Sequence, residues 1–256
     1  MVRKQYMNNM RQLLIPFLIV VVLGTILISY SSFAMGSNSV LNAPIEAWIY
    51  GCEPVDLFFP LLASLPFSWV IFSERKNGFL DYIAIRTNKN KYIRNKMMSG
   101  MLLSFLAIFT MYFVSLIYIL FFTNFNIEQG ESRLIYYLFG EFQLYNPLLF
   151  GFIWAVWKGL ISAIICLFGQ VFSLYNRNIF VISTAPFIYV FMENFITASL
   201  NMPEFSLTTS FVLNRLTPEI IHLQNLFIGT FTLVLVILIT NIYYKWRSSN
   251  ALANLE

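Results

Sequence analysis

Residues 72–96 read FSERKNGFLDYIAIRTNKNKYIRNK and hold nine of the chain's charged residues, seven of them basic. The whole chain of 256 residues is only 11% charged and 58% hydrophobic, where soluble domains are about 25% charged and about 45–50% apolar. This composition belongs to the polytopic membrane class. The basic stretch sits between two long apolar runs, which makes it a loop joining two spans.

Working outward from it, six windows approach the roughly 20 apolar residues that a spanning helix needs. They cover residues 12–33, 56–73, 97–123, 147–174, 178–199 and 223–244. The second is short and contains Pro60 and Pro66, so a kink is expected there. The first follows Arg3 and Lys4, exceeds the apolar core of a signal peptide and lacks a small-residue cleavage site, so it reads as a retained anchor. Before it, Val2, Tyr6, Met10 and Leu13 recur at helical spacing, the pattern of a short interfacial helix. The fold class is therefore an all-α polytopic membrane protein, a single transmembrane domain spanning residues 1–256.

Sidedness follows from the positive-inside rule. With both termini in the cytoplasm, the inner side collects Arg3, Lys4, Arg11, the basic residues of 72–96, Arg177, Lys245 and Arg247. The outer side keeps Arg133 and Arg215, with Glu46, Glu53, Asp56, Glu128, Glu131, Glu141, Glu204 and Glu219. The outer connections, residues 34–55, 124–146 and 200–222, are too small for independent domains. Residues 133–145 have the composition to lie flat on the outer surface.

Soluble-type catalytic motifs are largely missing. There is no phosphate-binding G-x-x-x-x-G-K-[ST], no G-x-S-x-G elbow, and one histidine, His222, which excludes an HExxH zinc site. Ser73 to Lys76 matches S-x-x-K without its companion motifs, a pattern common by chance. Cys52 and Cys166 have no CxxC partner, so neither a disulfide framework nor a thiolate metal site is expected.

The fourth window carries two ladders. Gly151, Ala155, Gly159 and Ala163 repeat every four residues and allow close helix approach. Beside them run Lys158, Ser162, Cys166 and Gln170. In the fifth window Tyr189, Glu193 and Thr197 align one turn after Pro186. A charge in hydrocarbon needs a partner or water, and Lys158 and Glu193 are expected to pair across consecutive helices. Two readings stay open: a structural ion pair with Lys158 reaching outward, or the polar wall of a translocation path.

In the basic stretch, Glu74 is expected in the first turn of a helix, where it complements the dipole. Phe79, Leu80 and Ile83 form an apolar patch, and Thr87 or Asn88 caps the helix that begins with Tyr92 and Ile93. A loop that only sets topology and touches anionic lipid needs no such patch, and an apolar patch on this face suits a protein partner.

Glu74-Arg-Lys-Asn-Gly78-Phe-Leu80-Asp81 resembles the E-[RK]-x-x-G-x-[LF]-[ED] segment of ABC-transporter type-2 permeases, the membrane subunits of type V exporters. The family's usual Thr-Pro-x-Ser-Arg turn is replaced here by Arg86-Thr87-Asn88-Lys89-Asn90. The resemblance implies a coupling helix between spans two and three, within residues 73–96, that seats on an ATP-binding subunit. Its contacts would come from Glu74, Gly78, Phe79, Leu80, Asp81 and Ile83, with a second contact at 175–178 through Tyr175 and Arg177. Residues 200–222 take the place of the family's outer helices before the last span.

The resemblance further implies an exporter in which ATP and Mg are bound by a separate ATP-binding subunit, present in two copies, and no cofactor by this chain. A second permease copy or a sister permease would complete the twelve spans, with membrane lipid but no nucleic acid as a further partner. Its place would be a bacterial plasma membrane. Small Firmicute permeases of this group export bacteriocins or toxic peptides such as phenol-soluble modulins, so the expected cargo is an amphipathic peptide, toxin or lipid-like molecule. The competing reading is an ion-gradient-driven transporter using Glu193, for which internal inverted repeats would speak; none is evident. An intramembrane protease lacks its constellation here.

Overall fold

The computed structural model describes residues 2–38, 41–79, 88–125, 132–176, 178–212 and 214–253. Those residues are overwhelmingly helical. The long elements are α1 (Val2–Asn38), α2 (Pro44–Asp56), α3 (Phe59–Lys76) and α4 (Lys89–Phe122). After a 3₁₀ turn at Arg133–Tyr136 come α5 (Gly140–Tyr145), α6 (Pro147–Tyr175) and α7 (Ile179–Ser199). A second 3₁₀ turn at Pro203–Phe205 leads to the short α8 (Leu207–Phe211) and the last helix, α9 (Asn225–Ala253).

Five of these helices, α1, α4, α6, α7 and α9, are long and apolar enough to cross a membrane. The pair α2 and α3 passes the same test jointly, bent by 54° at its break, which brings the possible spans to six. At 1.5 Å per residue, the 34 residues of α4 run for about 51 Å, against a hydrocarbon core of about 30 Å. Its basic first turns therefore have length to spare beyond the apolar layer.

Two sequence expectations change. Val2 to Asn38 is one uninterrupted helix that runs through Pro16, so the interfacial turn continues the first span instead of forming a separate element. The region read as an outer connection, 34–55, contains nearly all of the helix α2, and the expected second span, 56–73, is met by a bent helix pair that reaches from Pro44 to Lys76. The break has a local cause. Pro60 donates no backbone hydrogen bond and its ring clashes with the carbonyl four residues earlier. That carbonyl belongs to Asp56, where α2 ends. Pro66, by contrast, lies inside α3 without ending it.

The core forms around α4 and α6, which pack along each other; α1 lies against α4, and α3 against α6 and α7. The small-residue ladder explains the first contact. A Cβ on Gly151 would fall 2.3 Å from a Leu116 methyl, and one on Gly159 within 2.8 Å of the Phe105 ring. Backbones approach this closely only where side chains are absent, and in an apolar solvent such packing replaces the hydrophobic effect as the drive for association. Ser104 joins three helices at this level, donating to the carbonyls of Ala63 (2.8 Å) and Ser162 (3.3 Å).

Gly151→Leu is expected to destabilise the bundle by about 1–3 kcal/mol through overpacking. The measurement is the unfolding midpoint in mixed detergent micelles. An unchanged midpoint would show that α4 and α6 do not meet at this face.

Candidate functional site

The last turn of α3 and the first turns of α4 meet at the basic end of the bundle. Glu74 stands in that last turn, not in the first turn of a following helix as its sequence context predicts. A carboxylate there opposes the helix dipole, so it needs cations, and α4 supplies one. Lys96 Nζ lies 2.5 Å from Glu74 Oε1, and the Tyr92 hydroxyl donates to the same oxygen at 2.9 Å. Tyr92 and Lys96 are one turn apart on one face of α4. Lys96 is 3% exposed, a burial that an unpaired ammonium does not tolerate.

Arg75 turns the other way. Its guanidinium donates to the carbonyls of Leu174 and Asn176 at the end of α6, where carbonyls lack helical partners and the dipole is negative. One side chain thus fastens the start of the expected coupling segment, 73–96, to the end of α6, where the expected second contact, 175–178, begins. The sequence reading treats Arg75 and Lys96 as ordinary topology charges and Tyr92 only as the start of a helix. The recoverable signal was the i, i+4 spacing of Tyr92 and Lys96 in a stretch that holds two acids, Glu74 and Asp81.

Beyond α3, Gly78 takes φ 70°, a left-handed turn that glycine adopts without strain, and Phe79 is 45% exposed. Leu80, Asp81, Ile83 and Arg177 lie outside the described residues. Asn88 caps α4, its side chain accepting from the backbone N–H of Asn90 and Lys91. Tyr175 is committed within the chain: its hydroxyl donates to Asn241 Oδ1 at 3.1 Å and its ring stacks on Tyr244 at 5.0 Å.

The intramembrane charges pair differently from expectation. Lys158 does not meet Glu193. It binds Asp56 with both carboxylate oxygens, at 2.7 and 2.8 Å, and its ammonium lies 4.0 Å from the centre of the Tyr112 ring. The Tyr112 hydroxyl donates to Asp56 as well. Both charges are buried. Asp56 had been counted among the outer, solvent-side acids; α2 instead delivers it to the interior at the break of the second span. A cavity of about 20 Å³ adjoins the pair, lined in part by Glu53, Trp154 and Asn214, with room for about one water molecule.

Glu193 has a separate role. It accepts from the Leu207 N–H at 3.1 Å and from the Ser206 hydroxyl at 3.0 Å, capping the short α8 from α7. Arg215 stands near it, and burial lowers the guanidinium's pKa against the opposing pull of the Glu193 charge. Tyr189 packs its ring edge-on against Phe168 at 5.3 Å. Ser162 donates to the Gly159 carbonyl at 2.7 Å, and Gln170 lies against Gly100 of α4. Lys158, Ser162, Cys166 and Gln170 are all buried, so the polar ladder of α6 is enclosed by this chain's own helices.

Among the described residues no three His, Cys, Asp or Glu side chains gather as a metal site. No family model, no curated protein and no solved structure matches the chain.

Breaking a buried ion pair from one side leaves an uncompensated charge and costs about 3–5 kcal/mol. Lys158→Met and Asp56→Leu should each lower the unfolding midpoint by that order. The double variant should recover most of the loss. Additive single losses would show that the two side chains do not depend on each other.

Proposed function

We propose that this chain is the membrane-spanning permease subunit of an ATP-driven ABC exporter. The observation that carries the reading is the segment Glu74 to Asp81, whose described residues, Glu74 to Phe79, stand at the basic end of the bundle. Its sequence resembles the coupling motif of type-2 permeases, and its first two charged residues tie α3 to both α4 and α6. The distribution of charge supports a cytoplasmic position for this end. Arg75, Lys76, Lys89, Lys91, Arg94 and Lys96 cluster there, while Glu46 and Glu53 of α2 and Glu141, Glu204 and Glu219 of the connections belong to the other end.

In this reading the motor lies on a partner. Two ATP-binding subunits hold ATP and Mg, and their closure displaces the coupling segment beyond Phe79. The Glu74–Lys96 pair and the Arg75 clamp pass that displacement to α3, α4 and α6 as one body. Two copies of the chain, or the chain and a sister permease, then rearrange around a path between them. Packed interfaces switch between discrete arrangements instead of deforming continuously. An amphipathic peptide, toxin or lipid-like molecule suits the cargo of such a path in a bacterial plasma membrane. The ion-gradient alternative rests on Glu193, which is already engaged with Ser206 and Leu207.

The test is whether a neighbouring gene encodes a P-loop ATPase and whether that ATPase co-purifies with this chain. Phe79→Asp together with Leu80→Asp should reduce the retained ATPase at least tenfold and leave the chain's own melting temperature unchanged. Arg75→Ala should keep the complex yet depress cargo-stimulated ATP hydrolysis. A complex unaffected by the double aspartate variant would overturn the coupling role of this segment.

A further inference from the structure

A cleft of about 690 Å³ opens at the end of the bundle away from the Arg75 clamp, lined by Tyr50, Tyr136, Tyr137, Pro218 and Glu219. Three phenol rings and one exposed carboxylate come to it from three separate parts of the chain: α2, the 3₁₀ turn with the residue after it, and the connection between α8 and α9. The volume falls within the roughly 300–1,000 Å³ of small-molecule sites.

The walls are held in place by contacts that serve no other evident purpose. Glu46, one helical turn before Tyr50 on the same face of α2, accepts from the Ser132 hydroxyl and, at 2.8 Å, from the Asn42 N–H. Ser132 in turn caps the 3₁₀ turn by accepting from the Leu134 N–H at 3.1 Å. Leu134 is fully buried beneath the turn. Gly140 closes it from the far side: a Cβ there would fall 2.0 Å from the Leu134 carbonyl oxygen, so only glycine fits. The turn that carries Tyr136 and Tyr137 is thereby pinned against the helix that carries Tyr50. Tyr136 nonetheless keeps 67% of its surface exposed, an aromatic face presented and not packed.

The geometry points to a binding site for an alkylammonium group, taken up between the tyrosine faces with Glu219 as counter-charge. The negative face of an aromatic ring attracts cations, and cages of such rings select ammonium over neutral groups of equal shape. At this end of the molecule the acids Glu53, Glu141, Glu204 and Glu219 outnumber the cations Arg133 and Arg215, an excess that raises the local cation concentration. A lysine side chain of a cationic peptide and a choline headgroup share this chemistry. The site goes beyond the exporter reading, because equilibrium binding needs no ATPase and stands or falls apart from it.

The experiment is a saturation-transfer NMR titration of the full chain in phosphatidylglycerol nanodiscs, with choline as probe. Choline should bind saturably, and its neutral isostere 3,3-dimethylbutan-1-ol at least tenfold more weakly. Glu219→Gln and Tyr136→Ala should each weaken choline at least fivefold, with melting temperatures unchanged because both side chains are exposed. Tyr136→Phe, which keeps the ring face, should retain binding. Competition then separates the sources: displacement by N-acetyl-lysine methylamide and not by phosphocholine assigns a peptide cation, and the reverse assigns a lipid headgroup. Equal affinity for choline and its isostere, or full affinity in Glu219→Gln, overturns the site.

Discussion

An ammonium and a carboxylate buried in an apolar interior impose the central constraint on this bundle. Each of Lys158 and Asp56 would cost several kcal/mol to remove from water alone; together, with the Tyr112 hydroxyl and ring beside them, they satisfy one another. The pairing fixes more than two side chains. It requires α2 to descend to the level of Lys158 and the chain to break there, which Pro60 arranges. It also sets the neighbouring contact between Phe59, the first residue of α3, and Phe211 of α8, whose rings stack at 4.5 Å. The bend between α2 and α3, the α4–α6 core and the short α8 are all referred to one charge pair.

The basic end repeats the same physics with a different outcome. Glu74 is held by Tyr92 and Lys96, and Arg75 by the terminal carbonyls of α6, so three long helices share a junction that precedes the exposed Phe79 in the chain. A surface salt bridge between flexible side chains is worth little. Here Lys96 is buried and the acceptors of Arg75 are backbone, which turns these contacts into rigid joints. A force applied beyond Phe79 meets a single body and not three independent helices, the mechanical property that the proposed coupling role demands.

Much of the architecture was legible from simple patterns. The apolar lengths of α1, α4, α6, α7 and α9 announce themselves, and the four-residue repeat through Gly151 and Gly159 foretold a close helix contact. Asn88 ahead of a helical pattern foretold a cap. The failures were also physical in origin. α2 carries Glu46, Glu53 and Asp56 within 13 residues, so it reads as a polar connection when each charge is assumed to face water. The pairing of Lys158 with Glu193 rested on their both lying in consecutive apolar helices; its true partner lies 102 positions away. Glu74 was placed at a helix start because the dipole favours acids there, yet a basic neighbour across the turn outweighs that preference.

What the sequence determined by itself, then, was the solvent for which the chain is built, the five long apolar helices and the close approach of α4 and α6. These follow from composition and periodicity, which act locally. Which charges neutralise which, where the second span breaks in space, and which tyrosines converge on Glu219 were decided by the tertiary structure alone. Electrostatic partners are chosen by distance in three dimensions, and in a low-dielectric interior the strength of that choice grows as the distance shrinks.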